Sequence, residues 1–283
     1  MKILFISKFV WPHVGGVEKH CYKITLNLIR LGNTIETISE KDINYPHIKI
    51  LGLLYIWFWL FKNRKKILES EIVHVHDVFI WYLPFKFLYP NKRVFTTFHG
   101  WEGKYPIPFI NILQKRIANK LSLKTISVGD YINKWYGIKS DIIIYGAVDK
   151  INIESAIHKI SNTIIYLGRL EKDTGLLEFL KWLKLHPVYK ITFIGVGDLK
   201  DKCRKFGKVL GSKDPEKYLQ EAEYCVPSGY LSYLEARNLK CKIMTFPNNP
   251  LKADYWDEIE KNYSKIKNVT WNDVTNSYLK LWK

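Results

Sequence analysis

The chain has 283 residues, 47% hydrophobic and 25% charged, a balance that excludes disordered and fibrous classes and gives room for two domains of ordinary size. Its formal net charge is +17, with 22 basic against 11 acidic residues in positions 1–150 and 22 against 16 in the rest. That excess points to an anionic partner, and without a paired-cysteine finger, RNA-binding aromatic signature or basic zipper, a membrane surface is expected rather than a specific nucleic acid.

In chain order, "KILFIS" reads as a first strand, with no cleavage site for secretion. Four cysteines (Cys21, Cys203, Cys225, Cys241) show neither metal nor disulfide-framework spacing, so a reducing, cytoplasmic setting is expected. Val17, Cys21, Ile24, Leu28 and Leu31 recur at helical spacing, and Gly32 supplies a stop. Strand signals follow in "TIETIS", "IVHVH", "RVFTTF", "TISV" and "DIIIYG", with helical stretches such as "FINILQKRIANKL" between most of them. The polar stretch Asp149–Asn162 reads as a linker. A second series, "TIIYLG", "KITFIG", "KVLG", "YCVP" and "KIMTF", alternates with helices such as "GLLEFLKWL" and "PEKYLQEA". The fold class is therefore α/β, with two Rossmann-like parallel-sheet domains, 1–150 and 151–269, expected to face each other across a crevice. The closing segment, about 270–283, has helical periodicity and is expected to pack back on the first domain.

One segment falls outside this alternation. "ILGLLYIWFWLFKNRKK", Ile50 to Lys66, has an uncharged run ending at Phe61 that is far short of the roughly 20 residues that span a bilayer. Aromatic bulk followed by Lys62, Arg64, Lys65 and Lys66 suits a helix lying in the headgroup zone of an anionic membrane, against the alternative of a buried helix with a solvated basic end.

Several loops carry chemistry. Gly15 and Gly16 follow the first strand and open a helix, where backbone amides can hold an anion. "LGRLEKDTG" places Arg169 and Lys172 just past a strand, and "FIGVGD" places Gly195 and Gly197 past another. "YCVPSGYLSYLEA" runs from strand through a Gly229 turn into a short helix bearing Glu235. Two cations, the amides of Tyr230, Leu231 and Ser232, and one carboxylate describe a phosphate-and-ribose site. His74 and His76 share one side of a strand, but without a matching cysteine or carboxylate cluster packing is favoured over metal ligation. Glu18 and His20 either line the crevice or sit on a solvated helix face. Trp11, His13, Trp101 and Lys104 suit sugar stacking near an acceptor, or ordinary loop packing.

The order and spacing of "GGVEKH", "IVHVHD", "TTFHG", "LGRLEKDTG" and "SGYLSYLEA" resemble the retaining, metal-independent glycosyltransferases of family four, of which this would be a short member with a GT-B fold. The resemblance implies a nucleoside-diphosphate sugar as donor, no cofactor and no metal, and a sugar or lipid-linked acceptor. It matches His99 to a histidine contacting the transferred sugar, Arg169 to the arginine on the diphosphate, Glu235 to the glutamate on the ribose, and Gly15–Gly16 to a loop near donor phosphate and acceptor. His99, titrating near pH 6.5, is expected to donate a hydrogen bond in either form rather than to act as a general base. The chain departs from the pattern twice. Thr174 stands where the family has lysine, leaving Lys172 to reach the phosphate, and Pro227 stands where the family has an earlier glutamate. The expected protein is a hexosyltransferase resting on the inner face of a membrane, the alternatives being transfer to a protein or soluble acceptor, or a degenerate GT-B binding module.

Overall fold

The computed structural model describes residues 1–11, 15–46, 48–100, 103–149 and 158–283. Two compact units divide the chain, Met1–His13 with Val17–Tyr145 and Trp271–Lys283, and Val14–Gly16 with Gly146–Thr270.

The first unit is built on six parallel strands, β1 (Lys2–Ser7), β2 (Thr34–Ile38), β3 (Ile72–His76), β4 (Arg93–Phe98), β5 (Lys124–Ser127) and β6 (Ile142–Ile143), in the order β2-β1-β3-β4-β5-β6. β1 and β3 are buried on both faces, as strands of a sheet covered on two sides must be, which is why they read as continuous apolar runs. β6, expected over "DIIIYG", shrinks to two residues because it pairs along one edge alone. The connections are α1 (Gly16–Arg30), α2 (Glu40–Ile43), α3 (Lys49–Lys62), α4 (Lys65–Glu69), α5 (Phe79–Leu88), α6 (Phe109–Leu121) and α7 (Asp130–Tyr136). α1 stops where Gly32 takes φ 77°, and the Asn33 amide reaches back to the Leu28 carbonyl at 3.0 Å.

The second unit has five parallel strands, β7 (Ile160–Leu167), β8 (Lys190–Ile194), β9 (Lys208–Val209), β10 (Ala222–Pro227) and β11 (Lys242–Ile243), ordered β11-β10-β7-β8-β9. Its helices are α8 (Leu176–Leu185), α9 (Lys200–Arg204), α10 (Glu216–Glu221), α11 (Tyr230–Asn238) and α12 (Pro250–Ile266). Tyr166, Phe179 and Phe193 pack on one face of the sheet, Ile165, Leu219 and Ala236 on the other. Ile160 to Asn162, expected as the end of the linker, already belong to β7.

The last helix, α13 (Trp271–Trp282), groups with the first unit. It is held there by a buried polar chain. The Trp282 indole N–H can only donate, and it does so to His74 Nδ1 at 3.0 Å, so neutral His74 carries its proton on Nε2 and donates to Thr97 Oγ1 at 2.7 Å. Thr97 in turn meets the Tyr278 hydroxyl at 3.0 Å, which meets His20 Nε2 at 3.0 Å. His20 is therefore buried under α13, which also covers Asn27, whose amide nitrogen lies 3.4 Å from Thr275 Oγ1; Glu18 is buried too, so neither residue sits on a solvated helix face.

Two measurements probe this closure. Trp282→Ala, which empties a fully buried indole site and orphans His74 Nδ1, should cost about 3–5 kcal/mol by urea unfolding. Burial, the main cause, lowers the His20 pKa to about 3 and holds His74 well below 6.5. The unfolded chain protonates both near pH 6.5 while the fold does not. Their contribution is thus complete above pH 6.5 and falls by about 1.4 kcal/mol per pH unit per histidine on acidification. Unfolding free energies that stay level from pH 7 to pH 5 would show that these rings are not buried neutral.

Candidate functional site

The residues singled out by sequence fall in both units, and each unit is described by itself. In the second, β7 and β10 are parallel neighbours with Leu167 opposite Pro227, so their carboxyl ends release two loops side by side. One carries Gly168 and Arg169, the other Ser228 and Gly229. They touch: the Ser228 amide donates to the Leu167 carbonyl at 2.9 Å, and a Cβ on Gly168, at φ 130°, would stand 1.7 Å from Ser228 Oγ. Glycine is thus required at 168 for the loops to lie this close.

Gly229 caps α11. Ser232 Oγ donates to the Gly229 carbonyl at 2.8 Å and accepts the Gly229 amide at 3.1 Å, so the hydroxyl is spent on the first turn. The first-turn amides of a helix, over Tyr230 to Ser232 here, lack intrahelical acceptors and sit at the positive end of the dipole. Beside them, Arg169 is half-exposed and oriented by a 2.7 Å ion pair with Asp173. Leu231 and Glu235 are one turn apart on a shared helix face, with the Glu235 carboxylate half-buried. A guanidinium, a helix N-terminus and a carboxylate therefore issue from one sheet edge, an arrangement able to hold a phosphate group and a hydroxylated ring.

The other expected residues of this unit fare differently. Lys172 is exposed on a short 3-10 turn, Lys172–Thr174, whose carbonyl at Lys172 accepts from Asn248 Nδ2 at 3.0 Å. Thr174 is buried and faces inward, donating to the Glu171 carbonyl at 2.7 Å and accepting from the Tyr166 hydroxyl at 2.8 Å. Gly197, at φ 150°, answers to the protein's own packing, because a Cβ there would lie 2.6 Å from the Leu170 carbonyl and from Glu171 Oε1. Pro227 is buried at the end of β10 and brings no carboxylate to the edge.

In the first unit, His99 follows β4. Its amide donates to Asp77 Oδ1 at 3.0 Å, and Asp77, at φ 61°, also meets the buried Lys115 ammonium at 3.3 Å. That ammonium rests over Phe98 and Tyr136. His99 Nε2 lies 2.9 Å from His76 Nδ1, and the His20 ring is edge-on at 4.9 Å. Burial first, then the neighbouring His20, His74 and Lys115 charges, hold the His99 pKa well below 6.5. The expectation of a ring titrating near pH 6.5 is thus corrected: His99 is a neutral imidazole sharing a hydrogen with His76.

Sequence spacing also concealed a partner of His76. Cys21 on α1, 55 positions away, comes within 4.8 Å of donor atoms of His76 and His99, a set of donor types that suits a soft divalent cation. Here the two imidazoles bond each other, and burial holds the Cys21 thiol protonated, its pKa well above the usual range. Gly16, which groups with the second unit, opens α1, and among the described residues a Cβ there would meet nothing within 4 Å; Gly15 is half-buried just ahead of it. Trp11 stacks on Tyr22 at 5.2 Å, and Lys104 is exposed. His13 and Trp101 lie outside the described residues.

The segment expected at a membrane surface divides. Ile56 and Leu60 of α3 are buried, and Trp57 donates to the Ile80 carbonyl of α5 at 2.9 Å, so the tryptophan expected at a lipid face is a packing anchor. Ile50, Leu51, Leu54, Tyr55, Phe58 and Phe61 are exposed. Of the basic cluster, Lys66 is paired with Glu36 at 2.6 Å, while Lys62 and Arg64 lie over Phe58 and Phe61. No helix among the described residues is long and apolar enough to cross a membrane.

No protein-family model matches the sequence, and no curated protein does. Solved structures do. The catalytic domain of starch synthase IV from Arabidopsis thaliana, bound to ADP and acarbose, aligns with a TM-score of 0.63 at 11% identity, over 99% of this chain and 98% of that one. A UDP-GlcNAc 2-epimerase from Neisseria meningitidis, bound to UDP-GlcNAc, aligns at 0.60 and 12% identity over 99% of both chains. An alpha-glucosyltransferase in complex with UDP and a 13-mer DNA aligns at 0.56 and 11% identity over 100% of both. At these identities the likeness concerns architecture, and with the two parallel sheets it establishes the GT-B fold class.

Proposed function

We propose that the protein is a metal-independent, retaining glycosyltransferase that moves a sugar from a nucleoside-diphosphate sugar to an acceptor at an anionic membrane surface. The observation that carries this reading is the side-by-side release of the Arg169 loop and the α11 N-terminus from β7 and β10, with Glu235 one turn along the helix. Retention is implied by the family resemblance rather than by a measured spacing.

In the reaction, the bond between the anomeric carbon and the diphosphate oxygen breaks and its electron pair leaves with the diphosphate. The acceptor hydroxyl oxygen bonds to that carbon and gives up its proton to the departing diphosphate oxygen. Arg169 and the first-turn amides of α11 stabilise the charge arriving on the leaving group through fixed donors. Glu235 accepts from the ribose hydroxyls. Neutral His99, held by Asp77 and His76, offers a hydrogen bond to the sugar. The acceptor assignment is supported by the exposed apolar residues of α3 beside Lys62 and Arg64, and a cytoplasmic protein resting on the inner leaflet suits it. A nucleic-acid acceptor is the second reading, favoured by the net charge of +17 and by the DNA bound to the alpha-glucosyltransferase neighbours.

Arg169→Ala should weaken nucleoside-diphosphate binding by about 1.5–3 kcal/mol in calorimetry while leaving the bare nucleoside nearly unaffected. Equal losses for both ligands would remove Arg169 from the phosphate. For the acceptor surface, the protein should sediment with vesicles containing anionic lipid. Replacing Leu54, Phe58 and Phe61 together by Ser should release it with little loss of stability, since all three are exposed. Retention on duplex DNA, with vesicles left in suspension, would favour the second reading.

A further inference from the structure

α12 begins at Pro250 behind Asn249, whose Oδ1 accepts the Lys252 amide at 2.9 Å. The loop before it is fastened to the Arg169 loop: Asn248 donates to the Lys172 carbonyl, and the Phe246 carbonyl lies 1.9 Å from where a Cβ on Gly175 would stand. The helix itself is fastened to the start of α11. Tyr255 stacks on Tyr230 at 4.1 Å, accepts its hydroxyl at the Tyr255 carbonyl at 3.3 Å, and sets its own hydroxyl 3.3 Å from the Cβ position of Gly229.

Lys252 stands within this frame and is only 6% exposed. Its ammonium lies over the rings of Tyr255 at 4.3 Å and Trp256 at 5.8 Å, and among the described residues it makes neither a hydrogen bond nor an ion pair. A buried ammonium is costly unless an anion meets it, and aromatic faces offset part of that cost only. The neighbouring carboxylate that acts on it, Asp173, is already paired with Arg169.

We infer that Lys252 is a second phosphate-binding cation of the nucleotide site, which together with Arg169 and the α11 N-terminus receives the donor's diphosphate. The inference rests on the nucleotide-sugar reading of the second unit. It supplies a cation at an edge where Thr174 is turned inward. Burial, with Arg169 adding to it and Asp173 opposing, lowers the Lys252 pKa to about 8. The charged and titratable groups around it are Arg169 and Asp173 from the loop after β7, Tyr230 from α11, and Tyr255 and Glu258 on α12 itself.

The test is calorimetry on the full chain with UDP, ADP and inorganic pyrophosphate. Lys252→Met should weaken pyrophosphate and the better-bound nucleotide by about ten- to a hundredfold, with uridine or adenosine unchanged. If Lys252→Met binds like the unaltered protein while Arg169→Ala does not, the inference is overturned and the nucleotide reading stands. If the unaltered protein binds none of the three probes, both fall. A pH series on the unaltered chain guards against a variant that does not fold. The series uses UDP or ADP, whose terminal phosphate, with a last pKa of about 6, is almost wholly ionised by about pH 7.5, so affinity should fall as the pH rises through 8 and the ammonium loses its proton. Lys252→Arg should bind evenly across that range. An unaltered protein whose affinity is level from pH 7 to 9.5 would overturn the inference.

Discussion

The pairing of β7 with β10 is the constraint on which the candidate chemistry depends. Parallel strands end at the same edge, so two loops separated by 60 residues in sequence emerge as neighbours. The close approach of Gly168 to Ser228 then leaves no room for a longer side chain between Arg169 and the start of α11. A shift of one residue in this register would turn Arg169 and Gly229 to opposite faces and dissolve the site without breaking either element.

The first unit follows another logic. Its sheet edge gathers four imidazoles, His20, His74, His76 and His99, with ring centroids about 5 Å apart where they touch. Such a group is tolerable only if its members are neutral and bonded to one another or to hydroxyls, since two imidazolium charges at that separation repel. His76 Nε2 is the exception, buried with no partner among the described residues. The apparent chemical richness of this edge is therefore mostly a packed, uncharged network, with His99 at its more open end.

Much of this was legible beforehand. Strands buried on both faces, such as β1 and β3, announce themselves as apolar runs, while partly exposed edge strands such as β2 are marked by β-branched residues between turn signals. The edge strands β6 and β11 were read too long, because composition does not say where pairing ends. Arg169 and α11 were legible because strand, turn and helix follow one another locally. His20 was not, because a polar residue on a helix looks solvated until its partner, Tyr278, arrives from 258 positions away. The inward side of α3 was not legible for a related reason: the helix is apolar all round, and only the Ile80 carbonyl of α5 decides that Trp57 faces inward. Lys252 was missed because α12 reads as an ordinary amphipathic helix whose lysines belong outside.

The return of α13 to the first unit gives the chain an order of events during synthesis. The ribosome makes the first sheet early and must then complete the entire second unit before the helix bearing Tyr278 and Trp282 exists. Until then His74 Nδ1 lacks its Trp282 donor and His20 its Tyr278 partner, and the polar stripe of α1 stays wet. The first unit is thus the earlier to begin and the later to finish. A chain ending at Thr270 would carry the whole second unit and a first one still open.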